Sequence, residues 1–171
     1  MKAEKTLTKN IKNNLSIRDI LETDFNNNEW RTINGKPYIV YDIETENVTS
    51  TNLATHKFTI AYVLFSETGE YKLITQENMK KFTDFMLNFD GYVIGFNQIG
   101  YDNIVISYNA GYSAPEIETL NAKSIDLFYF VYRLIQKRMS LNKLGAALVG
   151  AKKTLESGME GIALWKRYKE E

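Results

Sequence analysis

The sequence predicts an α/β domain with a mixed sheet, and three observations predict it. Residues 38–43, Tyr-Ile-Val-Tyr-Asp-Ile, form a near-continuous apolar run, as in a strand covered on both faces. Two further β-rich runs, Phe58 to Phe65 and Tyr71 to Thr75, are joined by a hairpin turn at Glu67-Thr68-Gly69-Glu70, so three antiparallel strands open the domain. The period then changes: Met79, Phe82, Phe85, Met86 and Phe89 recur at helical spacing around Gln76 to Asn88, and a short buried strand, Tyr92-Val93-Ile94-Gly95, follows.

Residues 1–28 are rich in Lys and Asn, and their one periodic stretch, Leu15 to Leu21, reads as a short helix before a loop at Asn26-Asn27-Asn28. Asn34-Gly35 and Pro37 turn the chain into the first strand, which is expected to be central. After the 92–95 strand, Tyr101 to Asn109 reads as a helix ending near Gly111, Ala122 to Ile125 as a fifth strand, and Leu127 to Gln136 as an apolar, aromatic-rich helix. Ser140 is a candidate cap for a last helix reaching Val149, with Leu141, Leu144 and Leu148 on one face. The order β-β-β-α-β-α-β-α-α belongs to a mixed sheet with flanking helices. The Phe and Met stripe of the 76–88 helix is core rather than a cofactor contact.

At 171 residues, 44% hydrophobic and 13% aromatic, the chain suits one globular domain. No window approaches the roughly 20 apolar residues of a membrane span, and the start, Met-Lys-Ala-Glu-Lys-Thr, lacks the apolar core of a secretory signal. A cytoplasmic protein without membrane association is expected. With no cysteine and a single histidine, His56, the chain cannot build thiolate or multi-imidazole metal sites, so a metal would be held by oxygen, which suits magnesium or manganese. His56 itself is expected at the surface. Formal net charge is zero, yet residues 136–171 hold eight basic side chains against four acidic ones. Such a tail could hold a phosphate backbone beside an acidic body, or could simply be the solvated face of terminal helices.

Chemistry concentrates in two places. In the first strand Asp42 and Glu44 are spaced i and i+2, so they share a face at roughly 7 Å between Cα atoms and can converge on one cation. In the second, Gly95-Phe96-Asn97-Gln98-Ile99-Gly100-Tyr101-Asp102, the chain leaves a buried strand through a loop and places Asp102 in a first helical turn. Functional groups gather beyond the carboxyl ends of strands in α/β sheets, so a 92–95 strand parallel to the first would bring Asp102 to Asp42 and Glu44. Plainer roles stay open: turn capping for Asp42 and Glu44, a dipole-favoured helix start for Asp102, loop support for Asn97 and core packing for Tyr101.

Asp42-Ile43-Glu44-Thr45, joined to Asn97 and, after three intervening residues, Tyr101-Asp102, resembles the first two motifs of the DEDD 3′–5′ exonucleases. Among these the chain is similar to the bacterial and archaeal ribonuclease-H-like domains related to the family B DNA polymerase exonuclease, from about Pro37 onward. The resemblance implies a ribonuclease-H-like sheet of order 3-2-1-4-5, three antiparallel strands followed by two parallel ones. It also implies a domain over residues 31–171 behind a 1–30 extension. Asp42 would bridge two magnesium or manganese ions, with Glu44 and Asp102 as further ligands and catalytic acids. Two such ions, about 4 Å apart, activate a water and stabilise the leaving 3′ oxygen. Thr45, Phe96, Asn97 and Tyr101 would lie beside the terminal nucleotide of DNA or RNA.

The sequence also departs from that pattern. A fourth aspartate is expected on the last helix, four or five residues after a Tyr or His. Here Tyr168 is followed only by Glu170 and Glu171 at another spacing, so the domain is expected to be incomplete at its C-terminus. Asp126, in Ser124-Ile125-Asp126-Leu127-Phe128, reads as a helix cap rather than a replacement ligand. The leading expectation is a metal-dependent 3′–5′ exonuclease on single-stranded ends, weak or inactive without the fourth acid. The alternative is a non-catalytic nucleic-acid-binding module that uses Lys152, Lys153, Lys166 or Arg167. Cleavage of an RNA–DNA hybrid ranks last.

Overall fold

The structure is a computed structural model that describes residues 31–46, 50–151 and positions 163, 165 and 167. The expected helix at 15–21 and half of the basic residues of the tail, Lys152, Lys153, Lys166 and Lys169, lie outside these. Thr32–Ile33 (β1) and Lys36–Thr45 (β2) pair antiparallel through Asn34-Gly35, which takes positive φ at both positions (51° and 75°), the requirement of a two-residue hairpin turn. The turn expected to lead into the first strand is therefore itself a hairpin, and β2 is longer than 38–43 at both ends.

Phe58–Phe65 (β3) and Tyr71–Thr75 (β4) extend the antiparallel ladder on one side of β2. On its other side, Tyr92–Gly95 (β5) and Ser124–Asp126 (β6) run parallel to it. The sheet order is β4-β3-β2-β5-β6, with β1 paired to β2 alone, so the first long strand is central and the 3-2-1-4-5 order holds. This mixed α/β sheet with flanking helices is the ribonuclease-H-like arrangement.

Helix Gln76–Asn88 (α1) buries Phe82 and Met86, while helices Asp102–Asn109 (α2) and Ala114–Ala122 (α3) contribute Val105, Ile106 and Leu120. These meet Ile39, Tyr41 and Ile43, the alternate residues of β2, in one core. The period of two along β2 thus sends Ile39, Tyr41 and Ile43 to the helices and leaves Asp42 and Glu44 on the opposite face with Val40.

Helix α3 has no counterpart in the elements that periodicity predicts. It starts with a capping box: the Glu116 carboxylate accepts from the Ser113 amide at 3.1 Å and from the Ser113 hydroxyl at 2.9 Å, with Pro115 in the first turn. Because it ends at Ala122, the fifth strand begins at Ser124 rather than Ala122. Leu127–Ile135 (α4) and Leu141–Val149 (α5) follow, the latter capped by the Ser140 hydroxyl as its sequence predicts. No described helix is long and apolar enough to cross a membrane.

Candidate active site

Parallel pairing of β2 with β5 runs from Tyr38↔Tyr92 to Val40↔Ile94 and stops there, since β5 ends at Gly95. Beyond that point the β5-side edge of β2 has no ladder partner, and a side chain fills the place. The Asp102 carboxylate accepts from the Ile43 amide at 3.1 Å, between the two residues whose side chains are Asp42 and Glu44. Asp102 opens α2 and is only 5% exposed. Burial first, and then the negative charge of Asp42, push its carboxyl up to about 7, against the opposing pull of the Ile43 amide. Asp42 and Asp102 therefore share one electrostatic neighbourhood.

The loop from β5 to α2 is held in shape by close packing and by one acid. A Cβ at Gly95 would stand 2.8 Å from Gln98 Oε1 and 3.1 Å from the Tyr41 carbonyl, so only glycine fits there. Gln98 is fully buried, and its amide donates to the carbonyls of Val93 (3.2 Å) and Ile125 (3.1 Å), which joins β5 to β6. Asp126 accepts from the amides of Asn97 (2.8 Å), Ile99 (3.1 Å) and Phe128 (2.9 Å). It is both the cap of α4 and the clamp of the loop, the structural role its sequence setting suggests. Asn97 sits at φ 67°, and the Phe96 ring meets Phe128 edge-on at 5.7 Å. The contacts of Phe96 and Asn97 thus run toward β6 and α4.

Thr45 and Tyr101 do come together. Their hydroxyls are 3.1 Å apart, linking the residue after Glu44 to the residue before Asp102. Burial raises the Tyr101 hydroxyl pKa. Two residues without a sequence signal complete this junction. Asn103, fully buried, accepts from the Tyr41 hydroxyl and donates to Asn121 Oδ1 (2.7 Å) and Ser124 Oγ (3.0 Å), tying β2 to α3 and β6. His56 corrects the expectation of a surface position. It is 3% exposed, with Nδ1 2.8 Å from the Tyr101 hydroxyl and Nε2 2.8 Å from the Ser50 carbonyl. Its place just before a strand hid the fact that α2 packs over the 3₁₀ turn at Leu53–Thr55.

The donor set, three carboxylates with no thiolate and one imidazole engaged elsewhere, suits a hard dication in kind. The arrangement is less complete. Among the described residues no group of three or more His, Cys, Asp or Glu side chains stands close enough to hold an ion, so Asp42, Glu44 and Asp102 are neighbours rather than a closed ligand cage. The C-terminal segment also reaches this end of the sheet, where the Trp165 indole donates to Glu46 Oε1 at 3.4 Å.

A family model described as the RNase_H superfamily matches residues 39–171. Among solved structures, the family B DNA polymerase from the hyperthermophilic archaeon Pyrobaculum calidifontis is similar at TM-score 0.60 and 18% identity, over 75% of this chain and 21% of the polymerase. An exonuclease I structure is similar at TM-score 0.50 and 14% identity, over 75% of this chain and 40% of the exonuclease. The chain therefore spans about a fifth and two fifths of those proteins, and at such identities the likeness is one of fold. No curated protein matches it.

Proposed function

The chain belongs to the RNase_H superfamily, and we propose that within it this is a metal-dependent nuclease acting 3′ to 5′ on single-stranded DNA or RNA ends. The observation that carries the reading is the Asp102 carboxylate on the Ile43 amide, between two acids that share a strand face. Bringing like charges together around a buried carboxyl is unfavourable without a cation, and burial first and the Asp42 charge second raise the Asp102 carboxyl. Asp42, Glu44 and Asp102 are the proposed ligands of magnesium or manganese. Such an ion, when bound, activates water and stabilises a departing 3′ oxygen. The chain's own residues orient the strand end: Thr45 and Tyr101 line the terminal nucleotide, with Phe96 offering a ring for stacking and Asn97 an amide.

The test is release of mononucleotides from 3′-labelled single-stranded DNA and RNA with magnesium, manganese or chelator. Release that needs the metal and falls at least about 100-fold in Asp42→Ala, as expected when a ligand to a catalytic ion is lost, supports the reading. Release that survives chelation or Asp42→Ala overturns it.

A second reading, a non-catalytic nucleic-acid-binding module, is favoured by the absence of a closed three-acid cluster among the described residues. It predicts salt-sensitive binding that persists in Asp42→Ala and weakens when Lys152, Lys153, Lys166 or Arg167 is neutralised.

A further inference from the structure

We propose that His56 is a positioning residue that sets the Tyr101 ring and the Thr45 hydroxyl against the terminal nucleotide. The inference rests on the reading of Tyr101 and Thr45 as nucleotide contacts.

Chemistry dictates the direction of the hydrogen-bonded chain. The Ser50 carbonyl, 2.8 Å from Nε2, can only accept, so Nε2 carries the ring hydrogen. When the ring is neutral Nδ1 is then the acceptor, and the Tyr101 hydroxyl 2.8 Å away donates to it. The hydrogen of Thr45 Oγ1 then goes to the Tyr101 oxygen at 3.1 Å. Both hydroxyl protons are thereby committed within the protein, and the Tyr101 ring is fixed at its far end, edge-on to the imidazole with 5.6 Å between centroids.

The anchor is itself rigid. The His56 amide bonds to the Leu53 carbonyl at 3.1 Å, and its carbonyl accepts from Asn109 Nδ2 at 2.7 Å, while Asn109 Oδ1 accepts from the Phe58 amide at 3.0 Å. Asn109 closes α2, and Tyr101 immediately precedes it. His56 thus grips both ends of the helix that carries Asp102, and through Tyr101 it reaches the residue after Glu44. The Tyr101 ring packs against the core, and the partners of its hydroxyl restrict what turning about its side-chain bonds that packing leaves. Ordering it in advance removes that entropy from the binding step.

The experiment uses the full chain, whose single histidine makes the imidazole nitrogens an unambiguous NMR probe. Long-range proton–nitrogen spectra should show Nε2 protonated and Nδ1 as acceptor, with the Nδ1 resonance moving in Tyr101→Phe. On a short single-stranded oligonucleotide, His56→Ala and Tyr101→Phe should each raise KM by about 5- to 10-fold, the equivalent of one neutral hydrogen bond, with the loss falling on KM rather than kcat. If the chain binds without cleaving, Kd replaces KM. The double variant should be no worse than either single one, and His56→Asn, whose amide oxygen can take the place of Nδ1, should recover most of the affinity.

A protonated Nδ1, an unchanged KM or Kd in Tyr101→Phe, or fully additive losses would overturn the proposal while leaving the nuclease reading standing. A wild-type chain that neither binds nor cleaves any strand would bring down both. Should His56→Ala fail to fold, the spectra and Tyr101→Phe decide.

Discussion

The junction of β2 with α2 and the helix α4 invert what their compositions suggest. At the junction, polar side chains are the buried ones: Asp102, Asn103, Gln98 and His56 are almost wholly enclosed. Along α4, Leu127-Phe-Tyr-Phe-Val-Tyr-Arg-Leu-Ile, no residue is buried, Phe130 being 58% and Leu134 54% exposed. The difference lies in partners. Asp102, Asn103, His56 and the Gln98 amide nitrogen each replace lost water with a specific acceptor or donor, so their burial is tolerated, and Gln98 Oε1 alone of these is left without a partner. On α4 the described ring contacts gather around Phe128, which meets Phe96, Tyr129 and Tyr132, and the residues on the far side face outward. Burial in this fold follows available partners, and hydrophobicity alone does not decide it.

The contrast can be broken at its strongest point by changing pH. Asp102 is raised from 3.8 to about 7, so its contribution to stability is fully present below pH 4 and is lost as pH rises toward 7 and beyond. Denaturant unfolding across that window should show a loss of about 4 kcal/mol that is absent in Asp102→Asn, because each tenfold change in proton affinity between the folded and unfolded chain is worth about 1.4 kcal/mol. An unchanged slope in Asp102→Asn would mean that another group carries the pH dependence.

Next in size is Asn103→Leu, which keeps the volume and strips partners from the Tyr41 hydroxyl, Asn121 and Ser124. A loss of about 3 kcal/mol is expected from leaving buried polar groups unpaired. Smallest is Phe130→Ala, which removes the larger side chain yet should shift stability by less than about 0.5 kcal/mol, as at surface positions generally. Equal losses for these two substitutions, measured by the same unfolding curves, would erase the distinction between the regions.

The legible parts of the molecule are those written in contiguous residues. The alternation of β2, the hairpin at Gly69, the Phe82 and Met86 stripe and the Ser140 cap each depend on neighbours within one or two turns, and each stands where its pattern puts it. Helix α3 is legible too, in Ser113, Pro115 and Glu116, but its weak apolar stripe, Ile117 and Leu120 alone, conceals it. The burial of His56 escapes a sequence reading because nothing around it in the chain signals enclosure. Its ring partners, Tyr101 and the Ser50 carbonyl, lie 45 and 6 residues away.

By itself the sequence determined the order of elements apart from β1 and α3, the central place of the first long strand, and the presence of three acids whose spacing and company suit a hard cation. Those follow from local periodicity and from the geometry of a strand, where residues two apart share a face. Tertiary structure alone decided that the Ile43 amide is taken by a carboxylate 59 residues distant, and that a histidine is enclosed over the start of α2. It also decided that α4, the most apolar of the described helices, is left outside the core. Such outcomes depend on which surfaces meet, and no stretch of neighbouring residues carries that information.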